Sequence, residues 1–247
     1  MSILYIKTWQ RRGKKLERID KIIAAQTEYS RKDVKKMISQ KKIEVDGKII
    51  KSADEKIKEN AVIKINGKEL NIKKNIYLIL NKPKGYISAT EDKNMKTVLD
   101  LVPEKYQHRA LFPAGRLDKD TTGMMIITDD GKFAHNILSP KKHIKKKYNV
   151  TIDIPVTKEM ITGFERGIQL NDGECKKALL EITGEYTADV TITEGRYHQI
   201  KRMFGCYGAK VIELNRVQMG EFILPSNLKL GQCREITEKE IEQIIKK

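Results

Sequence analysis

The sequence predicts an α+β chain of two domains, a small helix-and-hairpin unit ahead of a larger domain built on a mostly antiparallel mixed sheet. Two short helical patterns are followed by Asp46-Gly47 and Asn66-Gly67, each set between apolar alternations, and such pairs are the strongest short-range hairpin signal. Lys73-Lys74-Asn75 then forms a polar joint before the apolar run "IYLIL". Beyond that joint strands outnumber helices and come in runs, which points to α+β rather than alternating βαβ units. The expected domains are residues 1–74 and 75–247.

Residues 1–16, "MSILYIKTWQRRGKKL", read as an extension of undisclosed role. From Glu17, Ile19, Ile22, Ile23 and Ala25 lie at helical spacing. Ser30 followed by Asp33 makes an N-cap with an acidic first turn, and Val34, Met37 and Ile38 mark one face of a second helix. Ile43 and Val45 alternate ahead of Asp46-Gly47, and "NAVIKINGKEL" repeats the device. In the second part, "IYLILNKPKGYIS" starts as a strand and stops near Pro83 and Gly85. Phe133 and Ile137 sit one helical turn apart before Ser139-Pro140. "KYNVTIDI" carries Tyr148, Val150, Ile152 and Ile154 on one face, and "ADVTITEG" carries Val190 and Ile192. Ile200, Met203, Phe204 and Tyr207 recur at helical spacing, with Gly208 as the stop.

Forty-nine Lys and Arg against 33 acids leave a formal charge of +16 over 247 residues. Such a balance favours a polyanionic partner through counterion release. Nucleic acid is favoured over membrane, since no long basic amphipathic helix with Trp or Phe on its apolar side is visible. Arg31, Lys32, Lys35, Lys36, Lys41 and Lys42 crowd the second helix and the turn after it. They can present one positive face to a phosphate backbone or form an ordinary solvated face. No apolar run approaches the ~18 residues that span a bilayer, and no signal-peptide pattern opens the chain. A soluble cytoplasmic protein, monomeric and without membrane association, is expected. Cys175, Cys206 and Cys233 are far apart, and the four histidines offer no ligand spacing. Neither disulfides nor metal are expected; the thiols should be reduced and mostly buried.

One stretch, "PAGRLDKDTTGMMIITDDG", holds four carboxylates in this basic chain. Asp129-Asp130-Gly131 follows an apolar run and is explained as a turn that caps the next helix. Asp118, Asp120 and Thr122 fit D-x-D-x-T, which resembles the nucleophile loop of the haloacid-dehalogenase phosphotransferases. That loop leaves a buried strand, whereas here Pro113, Gly115 and Arg116 interrupt one.

Two further resemblances cover more of the chain. Residues 17–66 resemble the alpha-L RNA-binding module first described in a small-subunit ribosomal protein. "NKPKGYIS", "AGRLDKDTTGMMIITDDG", "KKYNV" and "EGRYHQIKRMFGCYG" resemble, in order and spacing, the motifs of the RsuA-type pseudouridine synthases, over about Ile76 to Glu240. "TDDG", "GIQL" and "GRYHQIKRM" are similar to the branch acting on small-subunit (16S) ribosomal RNA. The resemblance implies a cofactor-free isomerisation of uridine to pseudouridine, with rRNA in a small-subunit assembly intermediate as partner. It assigns the nucleophile to Asp118, an ion pair with that carboxylate to Lys201, and stacking on the target base to Tyr148. Arg116 would fill the gap left by a flipped base. Thr121, Thr122 and Gly123 would shape the loop, with Asp120 ordering it. Lys82, Pro83, Arg196, His198, Gln199 and Arg202 would line the pocket or hold RNA. A synthase of large-subunit (23S) rRNA, a non-catalytic assembly factor and a Mg²⁺-dependent phosphotransferase remain as alternatives.

Overall fold

Residues 16–58 and 60–246 are described by a computed structural model, in which they group into two units. The extension expected over residues 1–16 lies outside the described residues except for Leu16.

The first unit opens with β1 (Leu16–Arg18), α1 (Ile19–Gln26) and α2 (Arg31–Ser39). Strands β2 (Ile43–Val45), β3 (Lys48–Ile49), β4 (Lys56–Lys58), β5 (Ile63–Ile65) and β6 (Lys68–Glu69) follow. β1 pairs with β4, and β3-β2-β5-β6 form a second small sheet. The Ser30 hydroxyl accepts from Asp33 N at 3.2 Å while the Asp33 carboxylate accepts from Ser30 N at 3.0 Å, closing the capping box. Asp46 and Gly47 take φ 48° and 78°, and Asn66 and Gly67 take 50° and 75°, the left-handed pairs that tight hairpins need. Ile19, Ile23, Val34, Ile38, Ile43 and Ile63 are buried together.

Pro103–Ala110 belongs to this first unit, although the sequence places it inside the second domain. Its Arg109 guanidinium donates to the carbonyls of Ala25 at 3.1 Å, Lys73 at 3.0 Å and Lys74 at 2.8 Å. The Ala25 carbonyl lies in the last turn of α1, where carbonyls lack intrahelical partners. Sequence spacing carries no trace of such a long-range cap.

The second unit holds β7 (Tyr77–Lys82), β8 (Phe112–Pro113), β9 (Thr122–Thr128), α3 (Gly131–Leu138), β10 (Lys146–Ile152) and α4 (Lys158–Arg166). Then come β11 (Gln169–Leu170), β12 (Gly173–Glu174), β13 (Leu179–Gly184), β14 (Thr187–Ile192), α5 (Gln199–Gly205) and β15 (Val211–Met219). β16 (Phe222–Ile223), β17 (Cys233–Glu235) and α6 (Glu238–Ile245) end it. A nine-stranded sheet runs β13-β14-β10-β15-β9-β7-β17, with β16 beside β15 and β8 beside β9. Every neighbour is antiparallel except β15 and β9, which pair in parallel over two residues, Asn215 with Thr122 and Arg216 with Gly123. The strands approach closely there: a Cβ on Gly123 would lie 2.3 Å from the Arg216 carbonyl oxygen, and its φ is +97°. Glycine is required on both counts.

The two acids after β9 have structural work. Asp129 accepts from Ile76 N at 2.9 Å, and Asp130 caps α3 by accepting from Lys132 N and Phe133 N. The cysteines are unpaired, but only Cys175 is buried; Cys206 is exposed and Cys233 half-buried, which corrects the expectation of mostly buried thiols. Cys206 follows the last residue of α5, where the chain turns through solvent towards β15. No helix among the described residues is long and apolar enough to cross a membrane.

Candidate active site

Asp118 sits on the loop between β8 and β9, and a buried lysine holds that loop from beneath. Lys82, at the end of β7, is fully buried. Its Nζ donates to the carbonyls of Thr121 at 2.8 Å, Asp118 at 3.0 Å, Pro83 at 3.2 Å and Lys119 at 3.2 Å. Burial pushes the ammonium down to about 8, against the pull of Asp120 and Asp118. The Ser88 hydroxyl accepts from Leu117 N and donates to Leu117 O, fixing the loop one residue before the carboxylate. Lys82 is therefore not in the pocket lining, contrary to the sequence expectation: its ammonium is turned inward to the loop carbonyls. Pro83 is also outside the pocket lining, its carbonyl turned to Lys82.

α5 brings the partners of Asp118. Ile200, Met203 and Phe204 anchor it in the core, leaving His198 and Lys201 on the side of the loop. His198 Nε2 lies 3.3 Å from Asp118 Oδ1, and Lys201 Nζ lies 3.2 Å from Asp118 Oδ2. Lys201 also donates to both carboxylate oxygens of Asp120 at 2.9 Å. The expected Asp118–Lys201 pair is present, within a triad that includes Asp120. Lys201's hydrogen bond holds the Asp120 carboxyl below its usual range. Burial works against the charge on Lys201, but the hydrogen bonds to Asp120 and Asp118 outweigh it and raise its pKa. His198 has left-handed backbone, φ 46° and ψ 34°. Its ring stacks on Tyr197 with centroids 3.9 Å apart, and Tyr197 is 70 % exposed. Sequence reasoning misses Tyr197, whose only sign is an aromatic inside a basic motif.

A cavity of about 390 Å³ opens beside this cluster, within the range that holds a small-molecule-sized group. Asp118, Arg116, His198 and Lys201 lie on its loop side. Its floor is one face of the sheet: Lys146 and Tyr148 alternate on β10, Ile192 opposes Lys146, Arg216 opposes Tyr148 and Leu214 opposes Val150. Arg116 borders the cavity and makes no hydrogen bond or ion pair among the described residues. Thr121 lines the cavity with a buried hydroxyl that has no partner among the described residues.

Other expected RNA contacts are engaged elsewhere. Arg196 lines the cavity, but its guanidinium donates to Gly173 O at 2.8 Å and pairs with Asp172 at 2.9 Å, which fastens it to the β11–β12 hairpin. Arg202 forms a forked pair with the same carboxylate and does not line the cavity. Arg202's hydrogen bond, with Arg196 nearby, takes the Asp172 carboxyl down to about 2. Gln199 lines the cavity as expected and is buried, accepting from Arg196 N at 3.0 Å and donating to Glu194 at 2.9 Å, so it also frames the turn. In the first unit Lys32, Lys35, Lys36, Lys41 and Lys42 are exposed, while Arg31 reaches back 3.2 Å to buried Asp20.

This combination can support a carboxylate acting on one base or sugar in a cavity walled by an aromatic ring and cations. Residues 76–205 match the family described as RNA pseudouridylate synthase, and residues 17–63 match the S4 domain. The chain is 40% identical over 230 residues to ribosomal small subunit pseudouridine synthase A of Salmonella typhimurium, covering 92% of this chain and 99% of that protein. It is 37% identical over 234 residues to an RNA pseudouridine synthase of Aquifex aeolicus, covering 92% and 95%. A crystal structure of a pseudouridylate synthase superposes with a TM-score of 0.66 at 37% identity, over 92% of this chain and 99% of that one.

Proposed function

The chain belongs to the RNA pseudouridylate synthase family, with an S4 domain ahead of the synthase domain, and from that premise we propose that it converts a uridine of 16S small-subunit ribosomal RNA to pseudouridine. The observation that carries the reading is Asp118, held between His198 and Lys201 at a cavity whose floor presents Tyr148. The small-subunit assignment is supported by the name of the Salmonella relative and the near-complete length of the match.

The reaction breaks the C1′–N1 bond, turns the uracil and joins C1′ to C5, releasing the C5 hydrogen as a proton. Reactant and product are isomers, so no external oxidant or energy source is required. Asp118 acts on the ribose either as a nucleophile at C1′ or as a base at C2′. Lys201 fixes the carboxylate in place through their ion pair at 3.2 Å. A base inside folded RNA reaches Asp118 only after leaving its stack. Tyr148 then supports the ring, while Arg116, uncommitted to any other described residue, occupies the vacated space. The exposed lysines of α2 and the following turn hold phosphates, supplying affinity without reading sequence. The protein works as a cytoplasmic monomer on a small-subunit assembly intermediate.

The test is tritium release from RNA labelled at C5 of uridine. Release is expected from partly assembled small-subunit particles and should vanish with Asp118→Ala. Release only from 23S rRNA precursors would move the assignment to the large subunit. No release from either class, or from naked 16S rRNA, would remove the enzymatic reading.

A further inference from the structure

The cavity floor holds a charge that the roles above leave unused. Arg216 on β15 is 2 % exposed; its Nε donates to Met124 O at 2.7 Å, and its buried Nη2 has no hydrogen-bond partner among the described residues. A buried guanidinium N–H without an acceptor carries its full desolvation penalty. Arg216 is among the residues that line the cavity, on the face that also carries Tyr148. Lys146 on β10 is 5 % exposed and also lines the cavity. Burial, with Arg216 as the next cause, pushes its ammonium down to about 8. The two cations on one floor repel each other, with the buried Glu194 carboxylate pulling on Lys146, so an accepting group that meets Arg216 is favoured.

Register explains how Arg216 comes to face the cavity. β10 pairs Lys147 with Gln218 but Tyr148 with Arg216, skipping Val217. Uninterrupted pairing would have set Val217 opposite Tyr148 and turned Arg216 to the other side. The bulge puts the guanidinium on the face that carries the stacking tyrosine.

We propose that Arg216 donates a hydrogen bond to a carbonyl oxygen of the flipped uracil and stabilises the negative charge that the ring gains as the C1′–N1 bond breaks. The proposal rests on the pseudouridine synthase reading. If Asp118 attacks C1′, a C1′–O bond forms and the C1′–N1 electron pair leaves on the base. If Asp118 removes the C2′ proton, the C2′–H pair becomes a C1′=C2′ double bond, and the C1′–N1 pair again leaves on the base. Either way the uracil is a monoanion whose charge is shared by N1, O2 and O4. The uracil's electron pair then forms the C5–C1′ bond: on the first route the C1′–O pair returns to the Asp118 carboxylate, on the second the C1′=C2′ pair takes the proton back from Asp118 at C2′. The C5 proton then leaves and the uracil ring is restored. A guanidinium fixed by Met124 needs no reorganisation as this charge develops. Arginine suits the place because its planar guanidinium presents several donors in a fixed fork, so one can hold Met124 while another meets the base.

The first measurement needs no variant: single-turnover rates of the wild-type protein on RNA carrying 2-thiouridine or 4-thiouridine at the target. Sulfur is the poorer acceptor, so one of the two should slow the reaction tenfold or more. If neither slows it beyond threefold, the proposal is overturned. The second uses Arg216→Lys and Arg216→Gln on targets bearing uridine or 5-fluorouridine, following the C-glycoside product after nuclease digestion. Fluorine makes the base a better leaving group, so losing Arg216 should matter less for it. The expected loss is about 10²–10³-fold on uridine, at least tenfold smaller on 5-fluorouridine, with RNA Kd within threefold of wild type. Equal losses on both targets would make Arg216 a brace between strands and overturn the proposal. Failure of the function assignment looks different, since the wild-type protein would then release no tritium.

Discussion

The lysines of α2 and the cations around the cavity are the same residue types in opposite electrical settings. Lys32, Lys35, Lys36, Lys41 and Lys42 are exposed, and α2 stands without them because Val34, Ile38 and the Ser30 cap hold it. Lys82, Lys146 and Arg216 are buried and bonded to backbone carbonyls, and Lys201 is fastened to two carboxylates. The first set works by number and is weakened by salt; the second works by position and is shielded from it. Net charge counts all of them alike, so it foretells a polyanionic partner and says nothing about where chemistry occurs.

Three experiments sharpen or break this contrast. Lys82→Met should have the largest effect, because four loop carbonyls lose their donor; unfolding free energy should fall by about 2–4 kcal/mol, with turnover reduced as the Asp118 loop loosens. Chemical denaturation checks it, and a midpoint unchanged from wild type would put Lys82 with the surface lysines. Lys146 supplies the next. Its folded pKa is about 8 against roughly 10.4 when unfolded. Between these values the unfolded chain keeps a proton that folded Lys146 has released, so stability rises with pH. Relative to Lys146→Met, the wild type should therefore gain about 1–2 kcal/mol between pH 7 and pH 9.5; a flat difference would mean that Lys146 is not buried as a cation. Smallest in stability is Gln at all five exposed lysines, which should shift the unfolding free energy by under about 0.5 kcal/mol per site. RNA affinity should drop, and the slope of log K against log salt should become shallower by about 0.7–0.9 for each phosphate that is no longer neutralised. An unchanged slope would take these lysines out of RNA binding.

Local features of the fold were legible because local chemistry decides them. Asp46-Gly47, Asn66-Gly67 and Ser30 with Asp33 carry their conformations in two to four residues, and each forms as the sequence predicts. Asp118 and Lys201 are 83 positions apart in the chain, and their pairing was legible only through resemblance to a family. What escapes reading depends on the third dimension. Lys82 looks like a pocket residue because nothing in "NKPKG" says that its ammonium turns inward. Arg196 lines the cavity as expected, but its pairing and that of Arg202 with Asp172 were not legible, because that carboxylate lies far away in sequence. Arg216 draws no notice because its facing depends on a skipped residue in β15, and alternation alone predicts the other side.

The peg that Lys82 drives under the Asp118 loop means that the loop's shape is inherited from the sheet and does not wait for RNA. On the proposed reading, in which Asp118 acts, a carboxylate already in place spares the enzyme from folding its site around each substrate. The free energy of gripping the RNA then remains available for the harder task of drawing one base out of its stack. On that reading, precision at the ribose and tolerance of large, shifting RNA surfaces can evolve separately, one residing in β7 and the other in exposed side chains.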